Sequence, residues 1–511
     1  MKLKNLFTGL IAAVLLSTAG MSASAAGAPR SSDQGRHIAK PITGSWINLP
    51  YKDVRNKYTN PLGFDNTDPA LWRTKVKELA DMGVEYLVIM EVANDGKSYY
   101  PSKLMEPHYD PALESPVEAI LDEAARHGQK VFLSTGWAKN HDDDMRDPAV
   151  KARQLEIMEE LAGIYKNAKA FYGWYLPVED CLCPVLPDHA VKAVNELVDR
   201  SHALTPGKKT LISPYGIGLS DFDDPRYADQ LAKLKIDIIA YQDEVGCVRE
   251  EFTLPRLKRN WERMRQIHDN LNIEMWANCE TFTWENNPND RESALIPAAY
   301  PRLLAQQVAA TDGGVDRIIS FMFGGIIENP DSPYQLGQPQ HSGKLYEDYM
   351  SWRNGDRYWS LMEAAIANRL VNNMPAEAAA VAPKLADGVV AEENAADPAW
   401  QKFSKGYNEL IFDFGSPTEI KDVLVRALNY HNGGFDPLMK TYVYFSDDGK
   451  TYRLASIRNT PYCPNNRLDA WVDGIYFGKL NTKARYMKVA FSGTTDMCLD
   501  EIFVNPVIKT L

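Results

Sequence analysis

Cysteine is scarce. Six residues in a chain of 511 cannot build the dense framework of a disulfide scaffold, although an even number fits an oxidising compartment. Basic charge is not in excess either. Lys and Arg total 56 against 68 Asp and Glu, a formal net charge of −12, which removes the electrostatic footprint of a nucleic-acid or anionic-membrane partner. Beyond the N-terminus no apolar run is long enough to span a bilayer, so no membrane insertion is expected. No Gly-rich turn follows the first expected strand, which ends at Leu49, and a nucleotide-binding doubly wound sheet thereby loses its main signature. The nine histidines show no metal-ligand spacing. The CxC step Cys181/Cys183 has a shorter spacer than structural zinc sites use, and the acidic run after His141 reads as a solvated loop. No metal and no cofactor are expected in the large domain.

What is present begins with a targeting pattern. Lys2 and Lys4, the apolar run Leu6 to Leu16 and the small residues Ala23-Ser24-Ala25 have the three zones of a secretory signal peptide, residues 1–25. An exported protein, periplasmic or extracellular, is the expectation.

From Gly44 onward strand and helix patterns alternate, and the helices carry their own punctuation. Asp68-Pro69 and Asp147-Pro148 start helices as N-cap and first-turn proline, and Ser115 with Glu118 forms a capping box closed by Gly128. Eight apolar strands are read, among them Val84 to Val92, Phe171 to Asp180, which ends in two carboxylates, Ile236 to Asp243, Ile273 to Phe282 and Arg317 to Phe323. Eight strand-then-helix units predict an α/β fold, a closed (β/α)8 TIM barrel over residues 40–355. A helical extension and an Ala/Glu/Pro-rich linker occupy 356–384. After it, short alternating runs such as Glu409 to Phe414, Ile420 to Arg426 and Thr441 to Ser446 predict an all-β jelly-roll sandwich over 385–511, in which Cys463 and Cys498 are a candidate pair.

In such barrels chemistry is done at the C-terminal ends of the strands. The groups expected there are Trp46, Glu91, Trp137, Glu179, Tyr215, Tyr241, Asp243, Glu244, Glu280, Trp284 and Phe323. Aromatics interleaved with carboxylates suit sugars, whose rings have apolar faces and hydroxyl edges. Glycoside cleavage needs one protonated and one ionised carboxyl on opposite sides of the bond. Glu179 and Glu280 are the best-placed pair, and the expected partner is a glycan.

With those residues the barrel resembles the clan A glycoside hydrolases. The resemblance implies that Glu179, after strand four, is the acid/base and Glu280, after strand seven, the nucleophile of a retaining reaction. The chain departs from that pattern at Val178, where Asn is usual. The spacing Gly173 to Glu179 and the run Tyr241-Gln242-Asp243 are similar to family 18 chitinase-like barrels, which implies N-acetylated sugars; Tyr175 and Pro177 replace that family's aspartates. Leu385-Ala386-Asp387-Gly388, Phe412-Asp413-Phe414-Gly415 and the run Tyr444 to Tyr452 resemble discoidin and factor 5/8 C-terminal domains. That resemblance implies carbohydrate binding and allows calcium near Asp387. Taken whole, the chain resembles an uncharacterised family of secreted, glycoside-hydrolase-like barrel proteins from Bacteroidetes, a domain of unknown function. A non-catalytic glycan-binding barrel is the competing expectation.

Overall fold

The computed structural model describes residues 37–50, 60–136, 144–247, 254–285, 293–337, 339–460 and 470–509. Eight parallel strands close into a barrel: β1 (Ile42–Ile47), β2 (Tyr86–Ile89), β3 (Lys130–Ser134), β4 (Phe171–Tyr175), β5 (Lys209–Ile212), β6 (Ile238–Gln242), β7 (Glu274–Glu280) and β8 (Arg317–Phe321). β8 pairs with β1 to complete the ring. The surrounding helices are α1 (Pro69–Asp81), α2 (Pro116–His127), α3 (Pro148–Tyr165), α4 (Asp188–Leu204), α5 (Pro225–Leu231), α6 (Leu254–His268), α7 (Tyr300–Asp312) and α8 (Pro339–Arg353). Their starts follow the punctuation of the sequence. Asp68, Asp147 and Asp224 each accept a backbone N–H two residues on, and Ser115 and Glu118 cap reciprocally. Each such cap satisfies a donor that the first helical turn leaves orphaned, worth about 1 kcal/mol.

The lower half of the barrel is filled. Tyr86, Phe132, Tyr172 and Trp276 meet edge to face inside it, with Trp276 at 5.1 Å from Tyr86 and Phe132 at 5.3 Å from Tyr172. The Lys130 ammonium and the Arg317 guanidinium each lie 4.7 Å from the Tyr86 ring, where the ring quadrupole favours a cation. Gly173 belongs to this packing: a Cβ there would run into the Lys209 carbonyl of β5 and the Phe132 ring. Strand closure therefore accounts for the glycine of the Gly173-to-Glu179 spacing.

Helix α9 (Arg357–Ile366) lies on the outside of α7, where Trp359 meets Tyr300 at 4.7 Å. Covered on both sides, α7 is buried along most of its length and still carries Arg302, Gln306 and Gln307. The expected linker is docked rather than free: Ala376–Ala379 forms a short helix whose Ala378 joins the sandwich core.

The C-terminal region is two antiparallel four-stranded sheets. One has the order β9 (Gln401–Phe403), β16 (Met497–Val504), β11 (Val423–Asn429), β14 (Trp471–Phe477). The other runs β10 (Gly406–Ile420), β15 (Thr482–Gly493), β12 (Lys440–Ser446), β13 (Arg453–Asn459). Their inner faces enclose Phe412, Val425, Phe445, Met487 and Ile502. The run Ile420 to Arg426 is not one strand; the chain turns at Lys421-Asp422 between β10 and β11. β13 escaped the sequence reading because, as a largely exposed edge strand, it lacks the buried alternation. Cys498 is a buried thiol on β16, and Cys463 lies outside the described residues, as does the segment 1–36. No helix among the described residues is long and apolar enough to cross a membrane.

Candidate active site

Side chains alternate along each strand, except where β4 slips register against β3 at Tyr172, and this parity decides what reaches the open end. On β4, Trp174 points outward, its Nε1 donating to Thr205 Oγ1 at the end of α4 (2.8 Å). Tyr175 points inward. Beyond it, Leu176 N–H still bonds the Leu211 carbonyl of β5 before the chain leaves the barrel. Glu179 then emerges at the mouth, exposed, with its Oε1 accepting from Gln242 Nε2 at 2.6 Å. Gln242 is steadied by a second bond, to the Ser213 carbonyl (3.1 Å).

On β7, Trp276, Asn278 and Glu280 share the inward parity. Glu280 is 5 % exposed and its Oε2 accepts from Cys247 N–H at 2.6 Å. Burial pushes its carboxyl well above the usual range, and the neighbouring charges of Asp243 and Glu244 push the same way. Glu179 and Glu280 line one cavity of about 170 Å³ together with Trp46, Met90, Tyr175, Ser213, Gln242, Asn278, Phe282 and Phe321. Two buried polar atoms in this lining, Trp46 Nε1 and Asn278 Oδ1, have no hydrogen-bond partner among the described residues. An unpaired buried donor or acceptor of this kind costs about 1–3 kcal/mol. On the outer side of Glu179 a wider groove of about 520 Å³ runs past Asp144, Lys151, Asp180 and His189.

The remaining expected residues are distributed otherwise. Trp46 meets Tyr175 edge to face at 4.5 Å. Tyr215, 40 % exposed, bridges to Cys181 at the rim, where the charges of Asp180 and Glu179 add to burial in raising its phenol. Glu91 is buried and accepts from Asn94 Nδ2 (2.9 Å), outside the cavity lining. Tyr241 points away: its hydroxyl meets His268 Nε2 of α6 at 2.8 Å. Asp243 is fully buried and outside the cavity lining, and Glu244, at φ 55°, turns toward the loop after β5 and accepts from Gly218 N–H. The steering pair that the family 18 resemblance implied, Tyr241 with Asp243, therefore does not face the cavity. Trp284 donates to the Cys247 carbonyl (3.2 Å) and packs on Phe282; Phe323 is buried beside Trp72 and Glu328. Neither lines the cavity. Trp137 lies outside the described residues.

Ser213, Gln242 and Asn278 were not singled out from the sequence. Each is a polar residue within or ending an otherwise apolar strand, and counting back in twos from Glu280 reaches Asn278. That parity was the available signal. Among the described residues no group of three or more His, Cys, Asp or Glu is placed to hold a metal. In the sandwich, Asp387 accepts Val389 N–H, and Glu501 beside it accepts from Asn372 and Gly388.

The family model DUF4434, described as a domain of unknown function, matches residues 42–334. No curated protein matches the chain. Among solved structures, the chain is similar to a candidate alpha-L-fucosidase from Bacteroides thetaiotaomicron (18% identity, 62% of this chain and 97% of that one, TM-score 0.49). It is also similar to a glycoside hydrolase family 5 protein from Bacteroides vulgatus (10%, 83% and 86%, 0.38). A third is the GH99 endo-alpha-mannosidase from Bacteroides thetaiotaomicron (12%, 61% and 96%, 0.40).

Proposed function

Since the chain belongs to the DUF4434 family, whose description leaves the activity open, we propose from the site itself that it is a glycoside hydrolase acting on a poly- or oligosaccharide. One observation carries this reading: carboxyl groups from β4 and β7, Glu179 and Glu280, line a single cavity whose other walls are aromatic rings and amides. The rings suit the apolar faces of a sugar. Gln242, Asn278 and Trp46 suit its hydroxyl edge.

In the retaining reaction that the clan A resemblance implies, the reactive form is the one in which Glu280 has given up the proton that its burial holds to higher pH; its oxygen attacks the anomeric carbon while Glu179 gives its proton to the departing glycosidic oxygen. A glycosyl ester of Glu280 results. Glu179, now ionised, takes a proton from water, whose oxygen attacks the anomeric carbon and releases both the sugar and the Glu280 carboxylate. The N-terminal pattern supports export to the periplasm or beyond, and the sandwich is proposed to bind carbohydrate beside the catalytic barrel.

The test is product release, read by mass spectrometry from a broad glycan panel, for the wild type, Glu179→Gln and Glu280→Gln. Loss of about two orders of magnitude of rate or more in both variants is expected, and NMR of the first-formed anomer should show retention. A panel glycan that binds and is never cut would replace this reading by a glycan-binding one.

A further inference from the structure

Glu280 does not stand alone at the end of β7. Asp243, 0 % exposed, directly follows β6, and its Oδ1 accepts the backbone N–H of Glu280 itself (3.1 Å) as well as that of Val245 (3.3 Å). Its Oδ2 accepts from Gln306 Nε2 of α7 (2.7 Å). The same Gln306 amide donates to the Glu280 carbonyl (3.1 Å), and Arg302 Nη2, one turn earlier on α7, donates to the carbonyls of Glu280 (2.8 Å) and Phe282 (2.9 Å). Both α7 residues are fully buried. The chain after Asp243 then wraps the Glu280 carboxyl: Cys247 N–H bonds Oε2, and a Cβ on Gly246 would stand 3.1 Å from that same oxygen. Polar residues on a helix buried on both sides are expensive unless each has a task. Here the task of Arg302 and Gln306 is to hold the end of β7 and the Asp243 carboxylate.

We propose that Asp243 is a positioning residue for Glu280, fixing its backbone and, through its buried negative charge, setting the pH at which the Glu280 carboxyl gives up its proton. The groups facing Glu280 are Asp243 and Glu244 from the segment after β6, Cys247 N–H from the loop, Arg302 from α7 and Glu179 across the cavity, and the Cys279 thiol on its own strand turns to Asp243. One guanidinium faces three buried carboxyls. Asp243, with three N–H donors against the single one at Glu280 Oε2, is the better home for the negative charge, and Glu280 is left to hold its proton to higher pH. Burial and the Asp243 charge both raise the Glu280 carboxyl, which agrees.

The proposal rests on Glu280 being a reacting carboxyl, and its test separates the two. Asp243→Asn removes the charge and keeps the shape. The introduced amide oxygen can still accept from Glu280 and Val245 N–H. Its NH2 can donate to Gln306 Oε1, which is buried without a partner, once the Gln306 amide turns over; Arg302 continues to hold the Glu280 carbonyl. The first readout is the titration of Glu280 followed by NMR of 13C-labelled glutamate carboxyls, with Glu280→Gln assigning the resonance. A midpoint lower by about one pH unit or more in Asp243→Asn is expected. An unchanged midpoint overturns the proposal, whatever the protein's activity. If Asp243→Asn fails to fold, Asp243→Ser carries the same expectation.

The second readout is the pH profile of kcat/KM on whichever glycan is cut. The limb belonging to Glu280 should move to lower pH in the variant, the acidic limb if Glu280 is the nucleophile, while the other limb stays. A purely structural role for Asp243 would lower the rate by one factor at every pH and leave both limbs in place, which overturns the proposal. A protein that cuts no glycan removes the hydrolase reading, and the NMR titration alone then decides this one.

Discussion

Glu501 of β16 offers a stability test that does not depend on the substrate. It is fully buried, and its Oε1 accepts from Asn372 Nδ2 (2.7 Å) and Gly388 N–H (3.2 Å), so one carboxyl ties the segment after α9 to the sandwich. Burial raises it from 4.5 to about 7, the charges of Asp500 and Asp387 adding to the rise and the two donors opposing it. A folded-state value above the unfolded one means that folding favours the protonated form. The contribution is therefore complete below about pH 4.5 and is lost as pH rises through about 7. Each pH unit of displacement is worth about 1.4 kcal/mol, so the wild type should lose about 3 kcal/mol of sandwich stability between those limits. Glu501→Gln keeps an acceptor at the Oε1 position and has no charge to ionise. Urea unfolding followed by tryptophan fluorescence, repeated across pH, should find the variant within about 1 kcal/mol of wild type in acid and about 3 kcal/mol more stable in mild alkali. Parallel curves for the two proteins across pH would refute the reasoning, because the Glu501 titration would then not be coupled to folding.

Two further outcomes follow from the barrel. Lys75 of α1, 6 % exposed, pairs with Glu328 (2.9 Å) and Glu78 (3.1 Å) and so joins the first helix to the loop after β8; Lys75→Met should cost about 3–5 kcal/mol in urea unfolding by leaving Glu328 buried without its cation, and adding Glu328→Gln should recover part of it. Gln242→Leu removes the 2.6 Å donor to Glu179, a bond worth about 0.5–1.5 kcal/mol when the carboxyl carries its proton, so kcat should fall about 2- to 10-fold with the melting temperature little changed; an unaltered kcat would show that Glu179 needs no such support.

The barrel was legible because its signals are local. Asp68-Pro69, Ser115 with Glu118 and Gly128 punctuate helices through bonds that reach at most four residues, and apolar runs of strand length mark what is buried on both sides. The positions of Glu179 and Glu280 near the ends of such runs were legible for the same reason. Strand ends blurred where a turn has apolar neighbours, as at Lys421-Asp422. The direction in which each end residue points depends on parity, bulges and the turn that follows, and these are settled between strands. Tyr241 thus faces His268, and Gln242, one residue on, reaches Glu179.

By itself, then, the sequence determined the order of elements, the closed parallel barrel, the sandwich after it and the strands whose ends carry carboxyls, since each rests on periodicity and caps within a few residues. Only the tertiary structure decided which of those groups share a cavity and which, like Asp243, are buried outside it, held by Gln306. Those contacts join residues tens to hundreds of positions apart, and a buried charge takes its properties from whatever the closed barrel places around it, which no local pattern encodes.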